Sequence, residues 1–308
     1  MGLPVTVYRY TDAGAPQLTN GTPSEWINIL KKVLVEGYGS KSPLGWTLEF
    51  ENAGSFKVAF RNSLANGGSG GYVQFSSASG GNAADTSLLM KCAIGMTAID
   101  TFFKGFWQRA LVNGSEYRGW EIIGTSRSFY LILHKTSDLK NQYLGFTQDF
   151  QTYFIGDVHS HLTNDTGCFA IAADGSSATD QTSSQGIIGL NYNCMVQLYA
   201  TDASNNSLFY KARQYSFFKG STSLINDAES LGIDHVMMPT PIYADISQND
   251  SSITPFSRGV LPGLYISSFA GYSNQNWPKE LTFNGVKWLL LRSYYSPQFW
   301  INTGNWYD

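Results

Sequence analysis

Most of the chain after Arg118 consists of short apolar segments that are separated by clusters of Gly, Asn, Asp or Ser. Strands bounded by such turn residues at regular spacing are typical of a β-sandwich or β-barrel. The clearest local signal is Asn284-Gly285, which stands between LTF and VKWLLL and favours a tight hairpin turn. The sequence therefore predicts a mainly β protein, with antiparallel sheets in a sandwich-like or barrel-like arrangement.

One segment, TPSEWINILKKVLVEGYG, carries instead the pattern of an amphipathic helix. Thr22 can cap this helix, Pro23 suits its first position, and Glu25 can complete a capping box. Apolar residues follow at helical spacing, and these are Trp26, Ile27, Leu30, Val33 and Leu34. Gly37 can adopt the left-handed conformation that often ends a helix. We therefore predict one helix over residues 23–36, with its apolar side packed against the domain.

The sequence divides into three regions, which could also form one domain. Residues 1–21 show no periodicity able to bury them alone, so we predict an extended N-terminal arm of a kind that often lies across a neighbouring subunit. Residues 22–115 hold the helix and a hairpin in which WTLEFEN and FKVAFRN flank a short loop. Within them, residues 66–82 are rich in Gly and Ser and are predicted as a flexible loop or flat edge region. Residues 116–308 form the β-rich domain.

Composition narrows the class of partner. Charged residues make up only 14% of the chain and aromatic residues 15%, so uncharged polar side chains and tyrosine must cover much of the surface. Such a surface favours lasting contact with other protein or with carbohydrate. The net charge of −3 and the scattered basic residues disfavour nucleic acid and anionic membranes as partners.

Two further features bear on the compartment. The start, MGLPVTVYRYTD, lacks the basic and apolar regions of a signal peptide, and no segment is long and apolar enough to span a bilayer, so we expect a soluble protein made in the cytosol. The three cysteines, Cys92, Cys168 and Cys194, are too few and too widely spaced for a disulfide framework or a zinc knuckle. We predict that they are buried free thiols.

The segment GDVHSHLTND, residues 156–165, contains the best candidates for chemistry. Asp157, His159 and His161 alternate along the chain, so a strand would turn all three toward one face, where they could bind a metal ion. Asp165 lies in a Thr-Asn-Asp-Thr-Gly cluster, which is typical of a turn between strands. A hydrogen-bonded polar corner and a metal site are the two hypotheses for this segment.

The spacing downstream favours the polar corner. His-Ser-His also begins the JAMM-type metalloprotease signature, which requires a later Ser and Asp, but this chain has Phe169 and Ala172 at the matching positions. We therefore predict no catalytic residue, cofactor or metal in the chain. A metallohydrolase that uses Asp157, His159 and His161 is kept as the less favoured alternative.

Other candidate sites are weaker. Carboxylates that could act on a glycosidic bond would have to be assembled across the fold, and these are Asp149, Asp157, Asp165 and Asp180. Trp277, Trp300 and Trp306 stand near Asn and Gln, as in a sugar-binding platform, although aromatic residues near a C-terminus also lock the last strand into a core. These tryptophans motivate the alternative of a receptor-binding or glycan-binding module.

The opening GLPVTVYRYTDAGAPQLTNGTPSEWINILKKVLVEGYGSKSPLGWTLEFEN resembles the N-terminus of a family of virion structural proteins of tailed bacteriophages. The resemblance continues through YFIGDVHSH and into SRGVLPGLYIS, while its specific part is the first fifty residues. It implies a virion component of the head, neck or tail, and no catalytic residue is carried over from it. Among these places we favour the neck or collar, or the tail or baseplate, for a non-enzymatic subunit that assembles in the host cytoplasm. The partners that it implies are identical subunits and other phage structural proteins, and a host surface glycan is a further partner to consider.

Overall fold

The computed structural model describes residues 2–136, 150–174, 179–182, 194–203, 210–214, 236–244, 256–267, 277–291 and 299–308. Its helical elements are α1 Pro23–Lys31, a π-helical turn Lys32–Glu36, and the 3-10 turns Ala53–Ser55 and Leu64–Asn66. The strands of the N-terminal part are β1 Leu3–Pro4, β2 Thr6–Arg9, β3 Thr47–Asn52, β4 Lys57–Arg61, β5 Tyr72–Ser77, β6 Leu88–Ala98, β7 Thr101–Gly105 and β8 Arg109–Leu111. Those that follow are β9 Tyr117–Gly124, β10 Ser128–Lys135, β11 Phe150–Asp157, β12 His159–Ser160, β13 Phe169–Asp174, β14 Cys194–Leu198, β15 Tyr210–Gln214, β16 Met237–Ala244, β17 Phe256–Ser267, β18 Glu280–Phe283, β19 Val286–Leu291, β20 Phe299–Asn302 and β21 Asn305–Trp306.

The described part of the chain is mainly β, in antiparallel sheets, with one helical segment over residues 23–36, which confirms the predicted fold class. The predicted capping box is present, because the Thr22 side chain accepts from Glu25 N while the Glu25 carboxylate accepts from Thr22 N at 3.1 Å. Trp26, Leu30 and Val33 are fully buried. The helix ends at Gly37, whose φ of 83° is positive as predicted, although its ψ of 168° is extended rather than helical.

The smaller sheet has six strands in the described residues, in the order β3-β4-β5-β6-β7, with β8 also on β6. The predicted hairpin is confirmed as β3 and β4, which pair around the turn Ala53–Ser55. The prediction of a loop or edge over residues 66–82 is wrong, because β5 lies in the middle of this sheet between β4 and β6. The glycines on both sides of this segment suggested a loop, although Val73 and Phe75 of the strand are fully buried.

The larger sheet has thirteen strands in the described residues, in the order β18-β19-β20-β17-β16-β15-β14-β13-β11-β10-β9-β2, with β12 on β17. The predicted hairpin around Asn284-Gly285 is present as β18 and β19, and both turn residues have positive φ, as a primed hairpin turn requires. The two ends of the sheet meet, because Arg9 on β2 forms an ion pair with Glu280 on β18. The sheet is therefore curled into a barrel-like form.

Two large cores lie on opposite faces of the strands that the two layers share. In β10, Phe129, Leu131 and Leu133 enter the core that contains α1 and the smaller sheet. The alternate residues Tyr130 and Ile132 enter the core inside the curled sheet. Because both faces of β10 are buried, its sequence is a continuous apolar run rather than an alternation. The first core takes residues from both sides of position 115, and the predicted division into regions stays a prediction.

The N-terminal segment is extended, but it packs on its own chain. β2 pairs with β9 at the end of the larger sheet, and β1 pairs with β21. Tyr8 is fully buried in the first core, whereas Val5 and Val7 pack against the second. The sequence of β2 shows no clear alternation of apolar and polar residues, because both faces of this strand contact apolar side chains. Residues 3–9 therefore pair within their own chain, and the expected contact of residues 1–21 with a neighbouring subunit stays a prediction.

Candidate functional site

The segment 156–165 forms a corner between strands, as its turn residues predict. β11 ends at Asp157, which pairs with Phe169 of β13, and Val158 N donates to Cys168 O at 2.9 Å. Between β11 and β13 the chain forms the short strand β12, in which His159 pairs with Val260 of β17. We call residues 156–165 the polar corner. It joins β11 and β13 to a strand that is about a hundred residues away along the chain.

Asp157 is the most buried acid of the polar corner, with none of its surface exposed. Its carboxylate accepts hydrogen bonds from Ser69 N at 2.9 Å, from Ser69 Oγ at 2.5 Å and from Arg127 Nε at 3.4 Å. Burial raises the pKa of Asp157 above its ordinary value, and the Ser69 hydrogen bonds and the Arg127 charge oppose that rise. Because Ser69 and Arg127 come from two other segments, the carboxylate joins these segments to the end of β11.

Tyr307, which follows β21, also binds to the end of β11. Tyr307 donates a hydrogen bond from its hydroxyl to the backbone oxygen of Asp157 at 2.5 Å and lies 2.6 Å from Ser128 Oγ. The Arg127 guanidinium stacks over the Tyr307 ring at 4.0 Å from its centroid. Burial, followed by the charge of Asp157, raises the pKa of Tyr307 well above its ordinary value. Tyr307 is therefore a neutral donor at physiological pH.

Asp165 and Arg258 form a second tie. Arg258 donates from Nε to Asp165 Oδ2 at 2.8 Å and from Nη2 to Oδ1 at 2.7 Å, and each side chain is only 2% exposed. Asp165 also accepts from Ser160 Oγ at 2.7 Å and from Gly167 N at 3.0 Å. The carboxylate is thus occupied by a bidentate guanidinium and by two groups of its own turn.

The two histidines have separate surroundings. The half-buried His159 ring lies 5.8 Å from the Tyr307 ring, and burial, with the nearby Arg127 charge, lowers the pKa of His159. His161 is exposed, and its Nδ1 lies 3.1 Å from Ser257 Oγ. β12 ends at Ser160, but His161 N still donates to Arg258 O at 3.0 Å, so the pairing with β17 extends to His161. Asp157 is engaged by Ser69 and Arg127.

In the part of the chain that the structure describes, no three His, Cys, Asp or Glu side chains are grouped so that they could hold a metal ion. The positions that fail the metalloprotease signature are core residues, since Phe169 lies in the first core and Ala172 in the second. Among the scattered acids, Asp180 lies 3.2 Å from Lys91 Nζ and accepts from Gln108 N, whereas Asp149 lies outside the described residues. The predicted lack of a metal stays a prediction.

The three tryptophans proposed as a sugar platform are buried. Trp277 is 3% exposed, Trp300 is fully buried and Trp306 is 2% exposed. Trp306 donates to Asn302 O at 2.8 Å and meets the Tyr130 ring edge-on. They therefore pack the C-terminal strands into the cores, and the glycan-binding alternative loses the observation that motivated it.

Cys92 and Cys168 are buried free thiols, as predicted, and burial raises the pKa of both.

One charged cluster was missed by the sequence analysis. Glu121 of β9 is 2% exposed and lies 3.6 Å from Arg9 Nε, at the place where Arg9 also binds Glu280. Burial raises the pKa of Glu121 to about 7, and the Arg9 charge opposes this rise. The available signal was a glutamate inside the apolar run WEIIG. We call Arg9, Glu121 and Glu280 the seam cluster, because it lies where the ends of the larger sheet meet.

No protein-family model matches the chain, and no curated protein matches it either. Among the described helices, none has both the length and the apolar character needed to cross a membrane. The chemistry of the polar corner must therefore be judged from its own geometry. That geometry shows charged groups that bind each other across long sequence separations.

Proposed function

We propose that the protein is a non-enzymatic structural subunit of a tailed bacteriophage virion, which assembles with identical copies in the neck or collar, or in the tail or baseplate. The observation that carries this proposal is the state of the polar corner. Asp157 is held by Ser69 and Arg127, and Asp165 is held by Arg258. Groups that could act on a substrate instead join distant parts of one chain, which is what a structural subunit requires.

Composition and sequence support the same proposal. A surface with few charges suits permanent burial against neighbouring subunits better than free diffusion. The resemblance of the first fifty residues to virion structural proteins supplies the phage context. In this proposal the partners are identical subunits and other phage structural proteins, and the site of assembly is the host cytoplasm, with the mature protein located in the virion.

The test is to find the protein in the particle. Antibodies raised against the purified full chain should label the neck, collar, tail or baseplate of phage particles from the source lysate in negative-stain electron microscopy. Mass spectrometry of particles purified by density gradient should detect the protein in a fixed ratio to the major capsid protein. A protein that stays in the soluble fraction and is absent from the particles would refute the proposal.

A further inference from the structure

The smaller sheet ends in two edge strands. Its order begins at β3 and finishes at β7, and among the described residues neither strand has a second strand partner. An edge strand presents a row of backbone N–H and C=O groups that can pair with another strand. β3 is also exposed along its length, with Phe50 as its one half-buried side chain. Both ends of this sheet can therefore accept a further strand.

Each of the two edges carries an exposed apolar side chain. Leu48 on β3 is 37% exposed, and Phe103 on β7 is 56% exposed. The described residues contain five exposed large hydrophobic side chains, so two of the five lie on the two edges of one sheet. Exposed apolar groups at opposite edges are what a contact between copies would bury.

The two edges carry opposite charges. On β3, Glu49 accepts from Thr47 Oγ1 at 2.6 Å and has no ion pair within the described residues, while Glu51 pairs with Lys31. On β7, Lys104 lies 5.2 Å from the Phe103 ring centroid, and it too has no ion pair in the described part of the chain. Glu49 and Lys104 are thus free to pair with charges of another molecule.

Both charges stand at irregularities that make the edges selective. The pairing of β3 with β4 shifts register around Glu49, and Lys104 has a φ of 52°. Charges and bulges on an edge strand hinder pairing with unsuitable strands. Pairing of two β3 edges would bring Glu49 and Glu51 close to their own copies, and pairing of two β7 edges would do the same for Lys104. A β3 edge against a β7 edge brings opposite charges together.

We propose that copies of this chain join head to tail, with β3 of one copy added beside β7 of the next. All pairs in the smaller sheet are antiparallel, so β3 and β7 run in the same direction. A rotation about an axis along the strands therefore adds them as a parallel pair. Such a contact is heterologous, and it closes into a ring or continues as a filament. This inference deepens the self-assembly in the proposed function, but its test needs no phage particle.

Charge reversal in the full-length chain tests the contact. Glu49→Lys and Lys104→Glu should each weaken association at least about tenfold in sedimentation velocity over a concentration series, because each places like charges at the contact. The double variant Glu49→Lys/Lys104→Glu should recover assembly to within about threefold of wild type, because opposite charges face each other again. An equal mixture of the two single variants should also assemble.

A matched apolar pair provides the control. Phe103→Ser should weaken association, whereas Leu64→Ser should not, although Leu64 is similarly exposed at 54% and lies off the sheet edges. A monomeric wild-type protein at every concentration, single variants that assemble like wild type, or a double variant that fails to recover would each overturn the inference. Particle labelling without any effect of charge reversal would leave the proposed function intact and remove this contact. Assembly that depends on these edge residues, in a protein that is absent from particles, would support this contact and refute the proposed function.

Discussion

Replacing Asp165 by Asn should destabilise the protein strongly. Arg258 is 1% exposed, and two of its guanidinium nitrogens donate to the Asp165 carboxylate within 2.8 Å. Asn keeps the shape of the side chain and can still accept a hydrogen bond from Ser160 or Gly167, but it leaves the guanidinium buried without a countercharge. Removing one partner of a buried pair costs about 3–5 kcal/mol. We expect a loss of that size in the free energy of unfolding, measured by urea denaturation with circular dichroism.

Three further variants determine the origin of the loss. Arg258→Met should also be destabilising, because it leaves the carboxylate without its counterion, and the double variant Asp165→Asn/Arg258→Met should lose at least about 2 kcal/mol less than the sum of the singles. Glu36→Gln removes the exposed pair with Lys32, whose oxygen and nitrogen lie 2.7 Å apart, and should cost no more than about 0.5 kcal/mol. A loss below about 1 kcal/mol for Asp165→Asn, or strict additivity, would show that the ion pair does not hold the polar corner.

Three more outcomes are expected. Thr22→Ala should lower the free energy of unfolding by about 1 kcal/mol in urea denaturation, because it removes the acceptor that caps α1 at Glu25 N. Burial raises the pKa of Glu121 to about 7, so the stabilising contribution of this residue is fully present below its ordinary pKa and is lost as the pH rises through 7. Between pH 5 and 8 the free energy of unfolding of wild type should therefore fall by roughly 2 kcal/mol relative to that of Glu121→Gln. Parallel pH profiles of the two proteins would contradict this. His159→Gln/His161→Gln should keep the fold, and elemental analysis of wild type purified without chelator should find well under one equivalent of zinc; stoichiometric zinc that is lost in the double variant would revive the metallohydrolase.

The elements that the sequence predicts correctly are those decided by neighbouring residues. The helix is marked by Thr22, Pro23 and Glu25, which act within one turn of each other. The hairpin at Asn284-Gly285 is marked by a turn that few other residue pairs can form. In both cases the deciding contacts span fewer than about five residues, so a single sequence contains all the information that they need.

The elements that it misses depend on a second buried face. β2 and β5 lack a clear alternation of apolar and polar residues, because side chains on both faces of each strand are covered. An alternating pattern appears only where one face meets water. For this reason the sequence predicts an extended arm over residues 1–21 and a flexible loop or flat edge region over residues 66–82, where the structure has β2 and β5. Glu121 was missed for a related reason, since its partner Arg9 lies on another strand more than a hundred residues earlier.

The same separation explains why the partners of the carboxylates in the polar corner are not visible in the local sequence. Asp157 precedes two histidines, yet the side chains that bind its carboxylate, Ser69 and Arg127, lie 88 and 30 positions earlier in the chain. Asp165 lies four residues after His161, but its counterion is Arg258, 93 positions away. A buried ion pair adds little net stability over apolar packing, but the loss of either partner is costly. Such pairs therefore mainly determine which segments of the chain pack together. On this reasoning, restoring apolar complementarity with Asp165→Leu/Arg258→Met should keep much of the stability, while any single change at the pair should lose it.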